Sequence, residues 1–390
     1  HNHLSYDILP LWRVPKKYGN NGQWKGTPQY QRDVTHTMAA LARSVDPRML
    51  PAIVRWVEGK CLVAGTTTSQ GVALVSAGGI RRFYRGMVRN VEVSGGADMP
   101  AATTRIADVA ASSWTVFRGS LARAEKKKGA LLLHLSEGVD EVARKHFLAL
   151  ENERGEWALS RALVGIHSAA LVRADLDRLA AAGASIVWSP LSNYLLYGGT
   201  TRIADARAAG VRITLGSDWS PTGSRNLLGE LDVAKLVSEH EGGPSARELV
   251  AAATREAAAA VGWEKAIGSL EPGKRADILV VAGKARDPYD ALLEADEADV
   301  VLVVIGGAPR YGRKAAMKTL GAKGEARKVA GHAAVFALAD PEGDPDVGAL
   351  SLKDAGELLG AALAGLPDLH ANEARAVGIH GAALRREERP

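Results

Sequence analysis

One cysteine, Cys61, is all that the 390 residues contain. An intrachain disulfide is thereby excluded, and the composition fits a reducing compartment such as the cytoplasm. Long apolar runs are missing too. The longest strand-like run, Asp299 to Ile305 (DVVLVVI), is far short of the ~20 residues that span a bilayer, so a buried strand is expected there and no membrane partner. A strong excess of one charge is also absent. The 49 basic and 44 acidic residues leave +5, and the densest basic runs, Lys126-Lys127-Lys128 and Arg385-Arg386, are short. Such a balance gives no footprint for a nucleic acid. No signal peptide is visible and the first residue is His1, not Met. The chain is therefore expected to be cut from a longer product, whose upstream part could carry a targeting segment.

What is present is the composition of a globular protein, 46% hydrophobic and 24% charged. The length suits one large domain or two ordinary ones. Within it, LLLHLSEG (131–138) reads as a buried strand, Leu131-Leu132-Leu133, that turns polar abruptly at His134 and Glu137. A helical stretch, VDEVARKHFLALE, follows. The same grammar returns in RALVGIHSAAL, which ends its apolar run in His167, and in VRITLGSDWSPTGSRN, which ends in Asp218. LVRADLDRLAAAG closes a helix on Gly183, and TRIADARAAG closes one on Gly210.

Strand, polar residue, loop and helix in alternation predict a parallel sheet, and about eight such units predict an α/β fold of the (β/α)8 TIM-barrel type. His1, His3, His134, Glu137, His167 and Asp218 all fall at expected strand C-termini, the catalytic end of that architecture. His1 and His3 share one face of a strand because side chains alternate with period two. They suit a metal pair or a frayed terminus equally. Three imidazoles and an aspartate form an inner shell for one divalent transition metal with a position left for water. Asp218 can ligate and accept a proton, Glu137 can shuttle one, and His167 can ligate or donate a hydrogen bond.

Other stretches carry less. LWRVPKKYGNNGQWKGTPQY (11–30) predicts a loop, either a substrate lid or a surface loop folded on Trp12, Tyr18, Trp24 and Tyr30. Residues 31–58 read as helical with His36 inside, and KCLVAGTTTSQG (60–71) as strand then turn. MVRNVEVSGG (87–96) also reads as strand then turn, and SARELVAAATREAAAAVG (245–262) as one Ala-rich helix. Trp188, Asn193, Tyr194, Trp219 and Arg225 lie near strand ends and can line a pocket for a planar ligand. Residues 1–265 are expected to form the barrel and 266–312 strands of a small β-sandwich. Residues 313–390 are expected to form a C-terminal extension of helix and turn, with His332, His370 and His380 structural or exposed.

In these motifs the chain resembles the metal-dependent amidohydrolase superfamily. They are His1-Asn2-His3, Gly65 to Thr68 (GTTT), His134-Leu135-Ser136-Glu137, His167, Ser189 to Asn193 (SPLSN) and Gly216-Ser217-Asp218, in that order. The resemblance runs from His1 to about Gly312. It implies a deformed barrel with a side sandwich, and zinc or iron held by His1, His3, His134 and Asp218. It places His167 beside the metal water and makes Glu137 the proton shuttle. The His-x-x-Glu pattern resembles the branch of cytosine, guanine and adenosine deaminases and triazine chlorohydrolases, which implies one metal and hydrolysis of a non-peptide C–N bond. A small-molecule substrate and a homo-oligomer are expected as partners. A dipeptidase-like or lactone-type hydrolase on the same fold remains the alternative, with a non-catalytic barrel binding protein behind it.

Overall fold

The computed structural model describes residues 1–71, 79–84, 86–105, 114–283 and 285–366. His370, His380 and the Arg385-Arg386 pair lie outside them. Two short strands, β1 (Thr68–Ser69) and β2 (Arg89–Asn90), pair in parallel. Then β3 (Thr103–Arg105), β4 (Leu131–Leu135), β5 (Leu163–His167), β6 (Ser185–Trp188) and β7 (Arg212–Leu215) form one parallel sheet in sequence order. Parallel neighbours need crossovers. Here these are the helices Trp114–Lys126, Glu141–Leu148, Arg173–Ala181 and the pair Pro190–Tyr197 and Ile203–Ala209.

Every residue of β4 and β5 is buried, as expected of strands covered on both faces. The alternation sorts them. Leu131, Leu133 and Leu135 pack with Phe117, Phe147 and Leu176 of the covering helices. Leu132 packs on the opposite face with Val164, Ile166 and Val187. Period-two geometry puts His134 on the face of Leu132, away from the helices. The first residues run alongside the last of these strands: Asn2 bridges Asp218 in parallel and His3 bridges Gly71. Gly216 permits this, because a Cβ there would stand 2.7 Å from the His1 backbone nitrogen. On the other side, Val91 donates to the Ser69 carbonyl and Ala102 to that of Val91, linking β1 and β2 to the segment entering β3.

A second, antiparallel sheet has the order β11-β12-β10-β9-β8. It comprises β8 (Ile278–Val281), β9 (Val300–Ile305), β10 (Ala308–Arg313), β11 (Glu325–Val329) and β12 (His332–Phe336). Gly306 and Gly307, both at positive φ, make the two-residue turn between β9 and β10 that matches strand twist. The sheet does not stop where the sequence put its boundary. A division after Gly312 falls inside β10 and cuts off β11 and β12, in a region expected to hold helix and turn. His332 is exposed on β12.

Other departures have local causes. The stretch 60–63 is the end of the helix Met49–Val63 rather than a strand, since Val54, Val57 and Cys61 continue a buried 3–4 spacing. Only Arg89–Asn90 of the stretch 87–96 is strand. His36 ends a π-helical turn, Gln31–His36, and is exposed. The Ala-rich helix is two, Ala246–Ala252 and Arg255–Ala260, broken where Thr254 leaves helical geometry (φ −129°, ψ −97°). Trp12, Tyr18, Trp24 and Tyr30 are buried, and Trp24 packs edge-on against Tyr30 at 4.8 Å. Among the described residues no helix is long and apolar enough to cross a membrane.

Candidate metal centre

His134, Glu137, His167 and Asp218 converge at the C-terminal edge of the parallel sheet, and the bridges of Asn2 and His3 bring His1 and His3 to the same place. The backbone bends sharply there. Ser136, His167, Ser168 and Asp218 all have φ between 50° and 65°, the left-handed region that non-glycine residues rarely occupy. Such strain persists only where surrounding contacts hold it. In each case it turns the chain at a strand end that bears a polar group.

The imidazole rings of His1, His3 and His134 lie 4.8–5.3 Å apart by centroid, and His167 is 5.7 Å from both His1 and His134. Donor atoms of His1, His3 and His134 lie within 4.8 Å of one another, as do those of His1, His167 and Asp218. Asp218 Oδ1 is 3.2 Å from His1 Nε2 and 3.7 Å from His3 Nε2. Ligands about 2.0–2.1 Å from one ion stand no more than about 4.2 Å apart, so these carboxylate–imidazole separations fit a shared ion.

Two observations bear on whether the donor set suits a metal. His3 Nδ1 is buried with no hydrogen-bond partner, which burial makes costly unless something else satisfies it. His3 and His134 are also held neutral, the form that ligates. Burial first, then the neighbouring His1, lowers the pKa of His3 to about 3. The same two causes, with His3, push His134 well below its ordinary value. Burial resists ionisation of Asp218, but the hydrogen bond and charge of His1, with His167 and His3, outweigh it and keep the carboxyl well below its usual range. The residues fit a divalent metal.

His1, Asp218 and His167 each have an outer partner. His1 Nδ1 is 2.8 Å from Gln70 Oε1. Ser192 Oγ donates to Asp218 Oδ2 at 2.7 Å. His167 Nδ1 is 3.0 Å from Asn193 Oδ1, whose amide nitrogen donates to Thr200. That orientation puts the His167 proton on Nδ1 and leaves Nε2 an acceptor. Donation from Nε2 would need a second proton, which burial opposes.

Glu137 is 3% exposed, yet both of its carboxylate oxygens are hydrogen-bonded. Tyr197 Oη donates to Oε1 at 2.7 Å, Asn21 Nδ2 to Oε2 at 2.8 Å, and Lys25 Nζ lies 3.6 Å from Oε2. Burial raises its pKa, but Lys25, His167 and the two hydrogen bonds prevail and hold it below the ordinary glutamate value. Trp24 Nε1 donates in turn to Tyr197 Oη. The segment 18–25 is therefore packed over the site, not free on the surface.

The five residues offered as pocket lining divide. Trp219 stacks on His3 with centroids 5.1 Å apart, and Asn193 holds His167. Trp188 is fully buried and donates to Thr200, Tyr194 bonds Glu241, and Arg225 pairs with Glu297. The polar groups of these last three are committed elsewhere. A cavity of about 660 Å³ has Arg225 in its lining, meets the cluster at His1 and its partner Gln70, and runs along Leu132, Val164 and Val187. It is not where Glu137 points. Gln70, Asn21 and Ser192 escaped the sequence reading. Ser192 alone had a signal, lying inside SPLSN beside Asn193.

The model of the amidohydrolase family matches residues 1–310, and the chain belongs to that family. Among curated relatives, the 5-methylthioadenosine/S-adenosylhomocysteine deaminase of Symbiobacterium thermophilum is 32% identical over 207 residues, 45% of this chain and 44% of its own length. That of Desulforudis audaxviator is 31% identical over 207 residues, covering 48% and 47%. The chain thus matches about half the length of these relatives. An adenosine deaminase from Xanthomonas campestris with bound zinc superposes with a TM-score of 0.58 at 18% identity, covering 80% of this chain and 78% of that one. Atrazine chlorohydrolase from Arthrobacter aurescens complexed with zinc gives 0.56 at 19%, covering 79% and 81%. Both establish likeness of fold.

Proposed function

We propose that the chain carries the catalytic centre of a mononuclear metal-dependent hydrolase that cleaves a non-peptide C–N bond, a deaminase of an amino-substituted heterocycle. The observation that carries this is the seating of Glu137, a buried and ionised carboxylate three residues beyond His134. His1, His3, His134 and Asp218 are the ligand set, and zinc is the metal. It would supply Lewis acidity that makes water a nucleophile at neutral pH. The remaining work falls to the chain. Glu137, fixed by Tyr197 and Asn21, takes a proton from the attacking water and hands it to the departing nitrogen, so that water and amine become carbonyl and ammonia. His167 presents an acceptor Nε2 that orients the water. Trp219, against His3, offers a flat apolar wall to a planar ring.

The architecture we infer is a (β/α)8 barrel over residues 1–265, with β7, residues 1–3, β1, β2 and β3 following one another around its circuit. The antiparallel sheet to Phe336 forms a companion unit. Ammonia release by zinc-loaded protein, across 5′-methylthioadenosine, S-adenosylhomocysteine, adenosine, guanine, triazines, dipeptides and lactones, tests the function. Ammonia from the amino-heterocycles supports it. An amino-acid product without ammonia would replace it with the dipeptidase reading.

A further inference from the structure

Three of the four proposed ligands, His1, His3 and Asp218, lie where the start of the chain meets the last strand of the parallel sheet, and one buried side chain joins the two segments. A short 3-10 turn, Leu4–Ile8, follows His3 and folds the chain back on itself. It sets Asp7, 7% exposed, beneath Asn2. Asp7 Oδ2 accepts from Asn2 Nδ2 at 2.9 Å, and Asn2 lies between His1 and His3. Asp7 Oδ1 accepts from the Ser220 backbone N–H at 2.9 Å and from Ser220 Oγ at 3.1 Å, two residues beyond Asp218. Lys60 Nζ fastens the same junction by donating to the Asp7 carbonyl at 2.6 Å and to Ser220 Oγ at 2.9 Å.

We infer that Asp7 is a positioning residue of the metal centre, its two carboxylate oxygens fixing the His1–His3 strand and the Asp218 loop in register with each other. Asp7 touches none of the ligands itself. It acts through Asn2 and Ser220, each one or two residues from a ligand. Desolvating a carboxylate is costly, and a burial of this kind is kept where its hydrogen bonds hold other groups in place. The two halves of the contact are separable. In Asp7→Asn one oxygen still serves Ser220, but an amide then faces the Asn2 amide, donor to donor. Asn2 relieves this by flipping, which leaves its amide nitrogen where Oδ1 now lies buried without a partner. In Asp7→Ala both halves go.

The inference rests on the metal reading above, and the test separates the two. Zinc affinity is measured by chelator competition, and the visible spectrum of the cobalt-substituted protein is recorded, for wild type, Asp7→Asn and Asp7→Ala. A control variant, Leu302→Ala in β9, is matched to them in melting temperature. Asp7→Ala is expected to bind zinc about 10–100-fold more weakly and Asp7→Asn at least about threefold, with an altered cobalt spectrum. The control keeps wild-type affinity and spectrum. Folded Asp7→Asn that binds zinc within twofold of wild type, with an unchanged spectrum, overturns the inference. Wild-type protein that binds no zinc overturns the metal reading instead.

Discussion

Ser192 Oγ donates to Asp218 Oδ2 at 2.7 Å, so that Oδ1 of the same carboxylate is left facing His1 and His3. The helix Pro190–Tyr197 thus fixes a side chain on the next strand end. Removing the hydroxyl in Ser192→Ala leaves a buried carboxylate oxygen short of a donor and frees the rotation of Asp218. Zinc affinity is expected to fall about 10–100-fold with the fold retained. Chelator competition checks it, and unchanged affinity would show that Asp218 is oriented by other contacts.

One residue along, Asn193 selects the tautomer of His167. Asn193→Ala frees that choice while leaving the proposed ligands untouched. Turnover is expected to fall about 10–100-fold at unchanged zinc stoichiometry, read by paired kinetics and metal analysis.

Tyr197→Phe removes a donor from Glu137 and the acceptor of Trp24. The hydrogen bond favours the ionised carboxylate, so its loss raises the Glu137 pKa. The acid limb of the kcat/KM profile is expected to move to higher pH. A limb that stays in place or moves down refutes the assignment of that limb to Glu137.

Outside the ligand set, Glu58 is buried beside Arg55, 3.3 Å away, and burial raises its pKa from 4.5 to about 7. The folded chain therefore keeps a proton that the unfolded chain gives up near pH 4.5. This contribution to stability is full below that pH and is lost as pH rises through about 7. Glu58→Gln holds no such proton. Relative to the variant, wild type should lose up to about 1.4 kcal/mol per pH unit across that window. Urea unfolding at pH 5 and pH 8 reads the difference, and parallel profiles for the two proteins contradict it.

The strand ends were legible because two patterns coincide there. An apolar run stops at His134, at His167 and just before Asp218, and each stop carries a group that buried sheet does not tolerate without a task. Local pattern could not reveal partners that meet only in three dimensions. Asn21 reaches Glu137 across 116 residues, and Gln70 reaches His1 across 69. The stretch 60–63 misled for a related reason: Cys61, Leu62 and Val63 read as strand alone, and as helix only with Val54 and Val57 before them. Two strands after Arg313 were missed because β11 (EARKV) is only half buried and bears charges.

The proton-shuttle role of Glu137 is tested most directly by comparing Glu137→Gln with wild type at equal zinc content, measuring ammonia release from the best amino-heterocycle substrate. The amide keeps the volume and can still bond Tyr197 and Asn21, but it cannot carry the proton. Turnover is expected to fall about 10²–10⁴-fold while zinc stays bound. Wild-type turnover in the zinc-loaded variant would contradict the account.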